Sequence, residues 1–298
     1  MVNKIIVVGS ANVDLVIHSA KMPKLGETLV GSKFQTNAGG KGLNQAVAIT
    51  KLGGDVSFLG AVGQDNHGKL LLNALSEHNI PFEGIRSESE PTGSAMITIV
   101  DGDNFILLDA GANNALTPEV IRHKKELIAE RDYCVLQLEV SIETVWEICR
   151  IAKQSDTKIV LNPAPFKELP KAIYPLVDHL IPNEHEAEAL TGICISNEKS
   201  AVEAVRKIKA LGVKNVVITL GEKGCVYNDG DNSILCPSEL VTVIDTTSAG
   251  DCFIGALVTA LSQNKPISEA ITFATKAAAI TVMREGASKS IPFADEVK

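Results

Sequence analysis

Asp251 closes the small-residue segment DTTSAGD, residues 245–251, directly ahead of Phe253, Ile254, Leu257 and Leu261. Those apolar residues recur at helical spacing, which predicts a helix starting near Gly250. In the plainest reading, an acid in a first helical turn offsets the positive end of the helix dipole, worth roughly 0.3–1 kcal/mol. The same turn is also equipped for chemistry. Its unpaired N–H groups form an anion site, and Ser248, Ala249 and Gly250 are small enough for a phosphate to approach. A carboxylate held beside that site takes a proton from an attacking hydroxyl. Cys252 follows directly; like the other cysteines it reads first as a small core residue, with a reactive thiol as the alternative because a helix N-terminus depresses a thiol pKa.

Other polar residues fall just after strand-like runs. NAGGKGLNQAVA, residues 37–48, is a glycine-rich loop opening a helical pattern, but it lacks the G-x-x-x-x-G-K-S/T of a Walker loop. Asn12, Asp14, Lys41 and Asn44 offer mixed donors and acceptors that suit a polyhydroxylated ligand. Glu139 ends the apolar run YCVLQLE. Glu184, Glu186 and Glu188 read as a solvated helix face, although Asn183 and Glu186 sit where they can organise Mg²⁺ and its waters. TLGEKG, residues 219–224, suits nucleotide contact and a hairpin equally.

Composition narrows the classes. The 298 residues are 45% hydrophobic and 21% charged, with net charge −8 and no strongly basic stretch, which disfavours a nucleic-acid partner. No run approaches the roughly 18 apolar residues that span a membrane, and the amino terminus is too short a hydrophobic run for a secretion signal, so a cytoplasmic protein is expected. The six cysteines are scattered without a C-x-x-C pair, which argues against a disulfide scaffold or a zinc site.

These residues need a scaffold. β-branched runs such as KIIVVG, VSFLGAVG, YCVLQLE and KIVLNPAP alternate with helical patterns such as GLNQAVAITKLG and SIETVWEICRIAKQ. The final third reads as two helices, 250–263 and about 266–283. This rhythm predicts an α/β fold with a mostly parallel central sheet covered on both faces. Two stretches, about 12–40 and 92–110, read as strands without intervening helices, with an Asp-Gly hairpin signature in VDGDNF. They form either a small sheet over the strand ends or an extension of the main sheet. One domain, 1–298, with a lid is the expectation.

GGKGLNQA and DTTSAGD, together with GSANVD, LNPAP, PNEHEAE, ITLGEKG and REGASKS, resemble in order the motifs of the PfkB carbohydrate kinase family, which includes ribokinase and adenosine kinase. The likeness runs through essentially the whole chain. Two positions depart from it: Ser248 stands where many members carry glycine, and Leu43 replaces a more usual alanine. The resemblance implies the ribokinase-like three-layer α/β/α fold with a small β-sheet lid. It implies ATP-dependent phosphorylation of a small sugar, ribose or 2-deoxyribose, at its 5-hydroxyl. Asn12, Asp14, Gly40, Lys41, Asn44 and Glu139 would hold the sugar, with Glu139 reaching from the lid or sheet edge. Asp251 would be the base, and the backbone of Ser248, Ala249, Gly250 and Asp251 the anion hole. Asn183, Thr219, Gly221, Lys223, Gly224, Gly250 and Thr275 would line the nucleotide pocket, and Glu186 would act through Mg²⁺ and its waters. Asp245, Thr247, Thr281, Arg284, Gly286 and Ser290 would surround an activating potassium ion, mainly through carbonyls. A homodimer through the lid sheets is implied as well. A catalytically silent sugar-binding regulator and an NAD-linked dehydrogenase are the competing classes. The intact Lys41, Asn44 and Asp251 oppose the first, and the missing G-x-G-x-x-G opposes the second.

Overall fold

The computed structural model of the chain describes residues 3–100 and 103–298. In chain order the strands and helices are β1 (Lys4–Val8), β2 (Asn12–His18), β3 (Ser32–Gly39), α1 (Lys41–Lys51), β4 (Asp55–Leu59), β5 (Ala61–Gly63), α2 (Asn66–Glu77), β6 (Ile85–Ser87), β7 (Gly93–Val100) and β8 (Asp103–Asp109). There follow α3 (Pro118–His123), α4 (Lys125–Ala129), β9 (Tyr133–Leu136), α5 (Ile142–Gln154), β10 (Lys158–Leu161), β11 (His179–Leu180), α6 (Glu184–Thr191) and α7 (Glu198–Lys209). The chain closes with β12 (Asn215–Thr219), β13 (Cys225–Asp229), β14 (Asn232–Cys236), α8 (Ala249–Ser262) and α9 (Ile267–Val282).

Among the described residues the main sheet has eight strands in the order β14-β13-β12-β11-β10-β9-β1-β4. It is parallel from β4 to β12 and turns antiparallel at β13 and β14. β1 shows why. Its KIIVV run alternates sides, with Ile5 and Val7 packed toward α1, α8 and α9 and Ile6 and Val8 toward α5 and α7. A strand buried on both faces must be apolar at every position, and both layers of helices are needed to cover it. Burying each large aliphatic side chain stabilises by about 1.5–3 kcal/mol.

α8 is the most enclosed helix-forming segment of the site: every residue from Asp251 to Ser262 is buried. It packs on α1 at Gly255, where an added Cβ would collide with Ala48, so the two backbones approach closely. Several helices start on side-chain caps that satisfy orphan amides, such as Ser141 accepting from the Thr144 amide of α5.

The run VSFLGAVG is not one strand. It breaks at Gly60, whose carbonyl accepts from the Ile85 amide at 2.9 Å, and the chain is drawn away so that β5 pairs with β6 in a separate two-stranded sheet. The lone strands of the amino-terminal half form their own four-stranded sheet, β3-β2-β7-β8, and do not extend the main one. β7 and β8 pair antiparallel down to Val100 opposite Asp103, and the Asp-Gly turn signature between them lies outside the described residues. The outer strand of this sheet exposes Phe105, Ile106, Leu107 and Leu108, and Met96 on β7 is exposed beside them.

Candidate active site

Parallel strands deliver their following loops to one edge of the sheet, and there the polar residues converge. Asp251 lies in the first turn of α8 and is 8% exposed. Asn44 Nδ2 donates to its Oδ2 at 3.2 Å, and Gln45 Nε2 donates to its Oδ1 at 3.0 Å. Both donors sit on α1, which starts behind Gly40 at φ 90°, a conformation that glycine adopts without strain. Burial pushes the Asp251 carboxyl up from its ordinary range, against the pull of Lys41 and the two amide donors.

Glu139 collects three donors on one oxygen: the Ser10 hydroxyl, the Asn12 amide group at 3.4 Å and the Lys41 backbone N–H at 3.3 Å. It lies three residues past the end of β9, an interior strand of the main sheet. Of the two expected origins, lid or sheet edge, the structure has the second: the strand stops at Leu136 and the chain then carries Glu139 along the edge formed by the carboxyl ends of the main strands. Asp14, on β2, is pushed up to about 7 by burial first and by the charges of Glu139 and Asp251 next, with Lys41 opposing. Burial pulls the Lys41 ammonium down, yet Asp251, Glu139, Glu186 and Asp14 together hold it above its ordinary value. One cation thus faces four acids. Asn44 Oδ1 is buried with no hydrogen-bond partner among the described residues, an acceptor left for a ligand hydroxyl.

Ser248, ahead of α8, adopts the left-handed conformation at φ 62°. The Ala249 amide donates to the Thr246 carbonyl and that of Cys252 to the Ser248 carbonyl. The amides of Gly250 and Asp251 donate to no acceptor among the described residues, so the anion-binding capacity of the turn centres on those two. Cys252 is fully buried, and burial pushes its thiol up to about 12; it is no nucleophile, because desolvation outweighs the helix-end effect.

Beside this turn opens a cleft of about 450 Å³. Thr219, Gly221, Gly224, Gly250 and Thr275 line it, together with Glu222. Lys223 is exposed at the end of its turn and is not among the lining residues, nor is Asn183. Asn183 instead pairs with Thr219 and caps α6. Its amide groups donate to both Glu186 oxygens at 2.8 and 3.1 Å, and it accepts from the Glu186 N–H at 2.9 Å. Burial raises the Glu186 pKa.

Behind the α8 turn, Asp245 accepts from the amides of Thr247 and Gly286, each at 2.9 Å. Burial raises its carboxyl, but these donors together hold it below its ordinary range. The Thr281 and Ser290 hydroxyls donate to the Ala277 and Ala287 carbonyls, and Arg284 pairs with Glu296 at 2.6 Å. The structure brings Asp245, Thr247 and Gly286 together and turns the Arg284 side chain outward. Among the described residues no group of three or more His, Cys, Asp or Glu is placed to hold a metal ion.

Several residues of the site were not singled out from the sequence. Gln45 lies inside GGKGLNQA, one position past Asn44. Gln137 is a polar residue within an apolar strand run, itself a signal of a buried network. Asn162 opens NPAP, and Asn113, which donates to Asn12 Oδ1 at 2.7 Å, lies in a stretch with no periodic pattern to mark it.

The pfkB family carbohydrate kinase profile matches residues 2–294. Ribokinase of Haemophilus influenzae is 42% identical over 292 residues, 97% of this chain and 95% of that protein. Among solved structures, ribokinase of Thermotoga maritima aligns at TM-score 0.90 and 37% identity, covering 99% of this chain and 98% of its own. Ribokinase of Arabidopsis thaliana, solved with ribose and ATP, aligns at TM-score 0.92 and 33% identity, covering 100% and 98%.

Proposed function

This chain belongs to the pfkB family of carbohydrate kinases, and from that premise we propose that it transfers the γ-phosphoryl group of ATP to the 5-hydroxyl of D-ribose, giving D-ribose 5-phosphate and ADP. The observation that carries the reading is the junction at the mouth of α8. There a buried carboxylate, oriented by two donors of α1, adjoins two unpaired amides that open toward the cleft.

In this reading Asn12, Asp14, Lys41, Asn44 and Glu139 bind the sugar hydroxyls, with Gly40 letting α1 begin beneath them. Five buried or half-buried polar groups on one small ligand suit a polyol, and a site built to bond hydroxyls discriminates strongly against analogues that lack one. Asp251 takes the 5-hydroxyl proton as the new O–P bond forms and the bond from the γ-phosphorus to the bridging oxygen of ADP breaks. The raised pKa makes it a better proton acceptor than an exposed aspartate. The amides of Gly250 and Asp251 meet the charge on the moving phosphoryl oxygens, each such donor being worth about 3–4 kcal/mol. Lys41 adds the positive charge that an acidic chain otherwise lacks. Thr219, Gly221, Gly224 and Thr275 line the nucleotide cleft, and Asn183 and Lys223 border it.

A divalent ion accompanying the triphosphate would neutralise its charge. Mg²⁺ fits Glu186 through water, since Asn183 holds both carboxylate oxygens in place and each keeps capacity to accept from a metal-bound water. Potassium fits the 245–290 region through backbone carbonyls, since the Asp245, Thr281 and Ser290 side chains are engaged internally. Bound there, it would stiffen the α8 turn. The exposed apolar face of β7 and β8 supports a homodimer through the small sheet, and the six free thiols suit the cytoplasm.

A panel of sugars with ATP and Mg²⁺, with and without K⁺, tests the proposal. ADP release with ribose, stimulated by K⁺, is the expected result. Equal turnover of 2-deoxyribose would move the assignment to that sugar, and no turnover of any sugar would leave a binding protein.

A further inference from the structure

Asp251 has two oxygens, and the fold treats them differently. Oδ1 accepts from Gln45 Nε2 at 3.0 Å, and Gln45 is fully buried. Its amide has one permitted orientation. Gln137 Nε2, likewise buried, donates to Gln45 Oε1 at 2.6 Å, so the oxygen end is occupied and the NH₂ end must face Asp251. The second hydrogen of that NH₂ group points to Asn162 Oδ1 at 3.4 Å, and Asn162 Nδ2 donates in turn to the Ile181 carbonyl at 3.0 Å. The network thus runs from Gln137, beyond the carboxyl end of β9, to Gln45 and branches there, one arm ending on the Asp251 carboxylate and the other passing through Asn162, after β10, to the Ile181 carbonyl, after β11. A flipped Gln45 would set its oxygen against a carboxylate and its NH₂ against another NH₂, two repulsions in a dry interior.

Oδ2 is held differently. Its donor, Asn44 Nδ2, stands at 3.2 Å, and the Oδ1 of that same Asn44 has no partner among the described residues. Asn44 is therefore open to a ligand at its other end, whereas Gln45 is closed at both.

We infer that Gln45 is a positioning residue, turned NH₂-first toward Asp251 by the acceptor-only carboxylate and supported at its oxygen by Gln137, and that it reserves Oδ2 of Asp251 for the proton of the sugar hydroxyl. This rests on the base assignment made above. Gln45 touches neither substrate; it acts by fixing the rotation of the carboxylate, and misplacement of a reacting group by about 1 Å costs on the order of 100-fold in rate. In the free enzyme its hydrogen bond also favours the ionised carboxylate, so losing it moves the Asp251 pKa further up.

The test uses Gln45→Met, which keeps the volume and removes the donor, and Gln137→Met, which leaves Gln45 in place but takes away the donor that supports its oxygen end. For Gln45→Met the expected result is a fall in kcat of about 10- to 100-fold. KM for ATP and ribose binding by calorimetry should be unchanged, and the acid limb of the pH profile should shift upward. Gln137→Met should move kcat and the acid limb the same way by a smaller amount. If both variants fold, bind ribose and keep the wild-type kcat and pH profile, the inference is overturned. Should Gln45→Met fail to fold, Gln137→Met decides alone. Asp251→Asn in parallel separates the two readings: an active Asp251→Asn refutes the base assignment, while an inactive one beside an unaltered Gln137→Met and Gln45→Met refutes only the positioning role.

Discussion

Asn113, in the turn that follows β8, donates from Nδ2 to Oδ1 of Asn12 at 2.7 Å, while its own Oδ1 accepts from the Ala11 amide at 3.0 Å. One side chain therefore fastens the turn after β8 to the start of β2, where the residues proposed to bind the sugar begin. Both partners are 2% exposed, so the link is shielded from water. Replacing Asn113 with Ala would leave a buried Asn12 oxygen without a donor, at a cost of about 1–3 kcal/mol. The expected result is a KM for ribose raised several-fold with KM for ATP unchanged, read from steady-state kinetics with each substrate varied. Equal effects on both substrates would contradict a role confined to the sugar side.

Ser248 at φ 62° pays the strain of a side chain in the left-handed region. Ser248→Gly should keep kcat and hold or raise stability by up to about 1 kcal/mol, the relief being offset in part by the extra freedom of the unfolded chain. Ser248→Val should lose about 1–3 kcal/mol, because a β-branched residue fits that region worst. Thermal melts of the three proteins, with turnover measured alongside, check both. The glycine frequent at this position in related kinases has the same explanation.

Asp14, pushed from its ordinary 3.8 to about 7, makes stability depend on pH in a stated direction. Between pH 4 and 7 the folded chain keeps a proton that the unfolded chain has released. Stability from this group therefore falls as pH rises through that window and levels off above 7, a loss of up to about 4 kcal/mol. Asp14→Asn removes this group's share of the dependence, while Asp251 and Glu186, also raised by burial, keep theirs. In urea titrations without ligand, the variant should gain on the wild type as pH rises from 4 to 7 while binding ribose more weakly. A wild-type advantage that grows with pH would reverse the sign and refute the account.

Leu107 is 75% exposed in the middle of an apolar row on β8. Leu107→Asp places a charge that a buried interface cannot accept. Light scattering should then give the mass of one chain where the wild type gives two, with little loss of thermal stability in the separated chain. A wild type that already runs as a single chain would leave the row without its proposed partner.

Much of the fold was legible because periodicity reports burial directly. KIIVVG, YCVLQLE and the apolar spacing after Asp251 each placed an element to within a few residues. What stayed hidden was geometry between distant segments. Gln45 meets Gln137 across a separation of 92 residues, and no local pattern states which way either amide points. The break at Gly60 is of the same kind, for the competing pull comes from Ile85, far along the chain. Cys252 shows two local readings decided by packing: the helix end argues for an acidic thiol and the apolar spacing for a core residue, and burial settles it for the core. The third copy of a donor on Glu139, from the Lys41 backbone, likewise follows from the bend after Leu136 and not from any residue type.

At Gly255 the backbone of α8 rests against Ala48 of α1 with no space for even a methyl group. Sugar-side and phosphoryl-side groups thus ride on one stiff girder, and neither can drift without dragging the other. Selection for a different acceptor is thereby channelled elsewhere, toward the four-stranded sheet, which carries Asn12 and Asp14 and can change while this crossing stays fixed. Lineages of this architecture should accordingly diversify at their rims and keep this crossing bare.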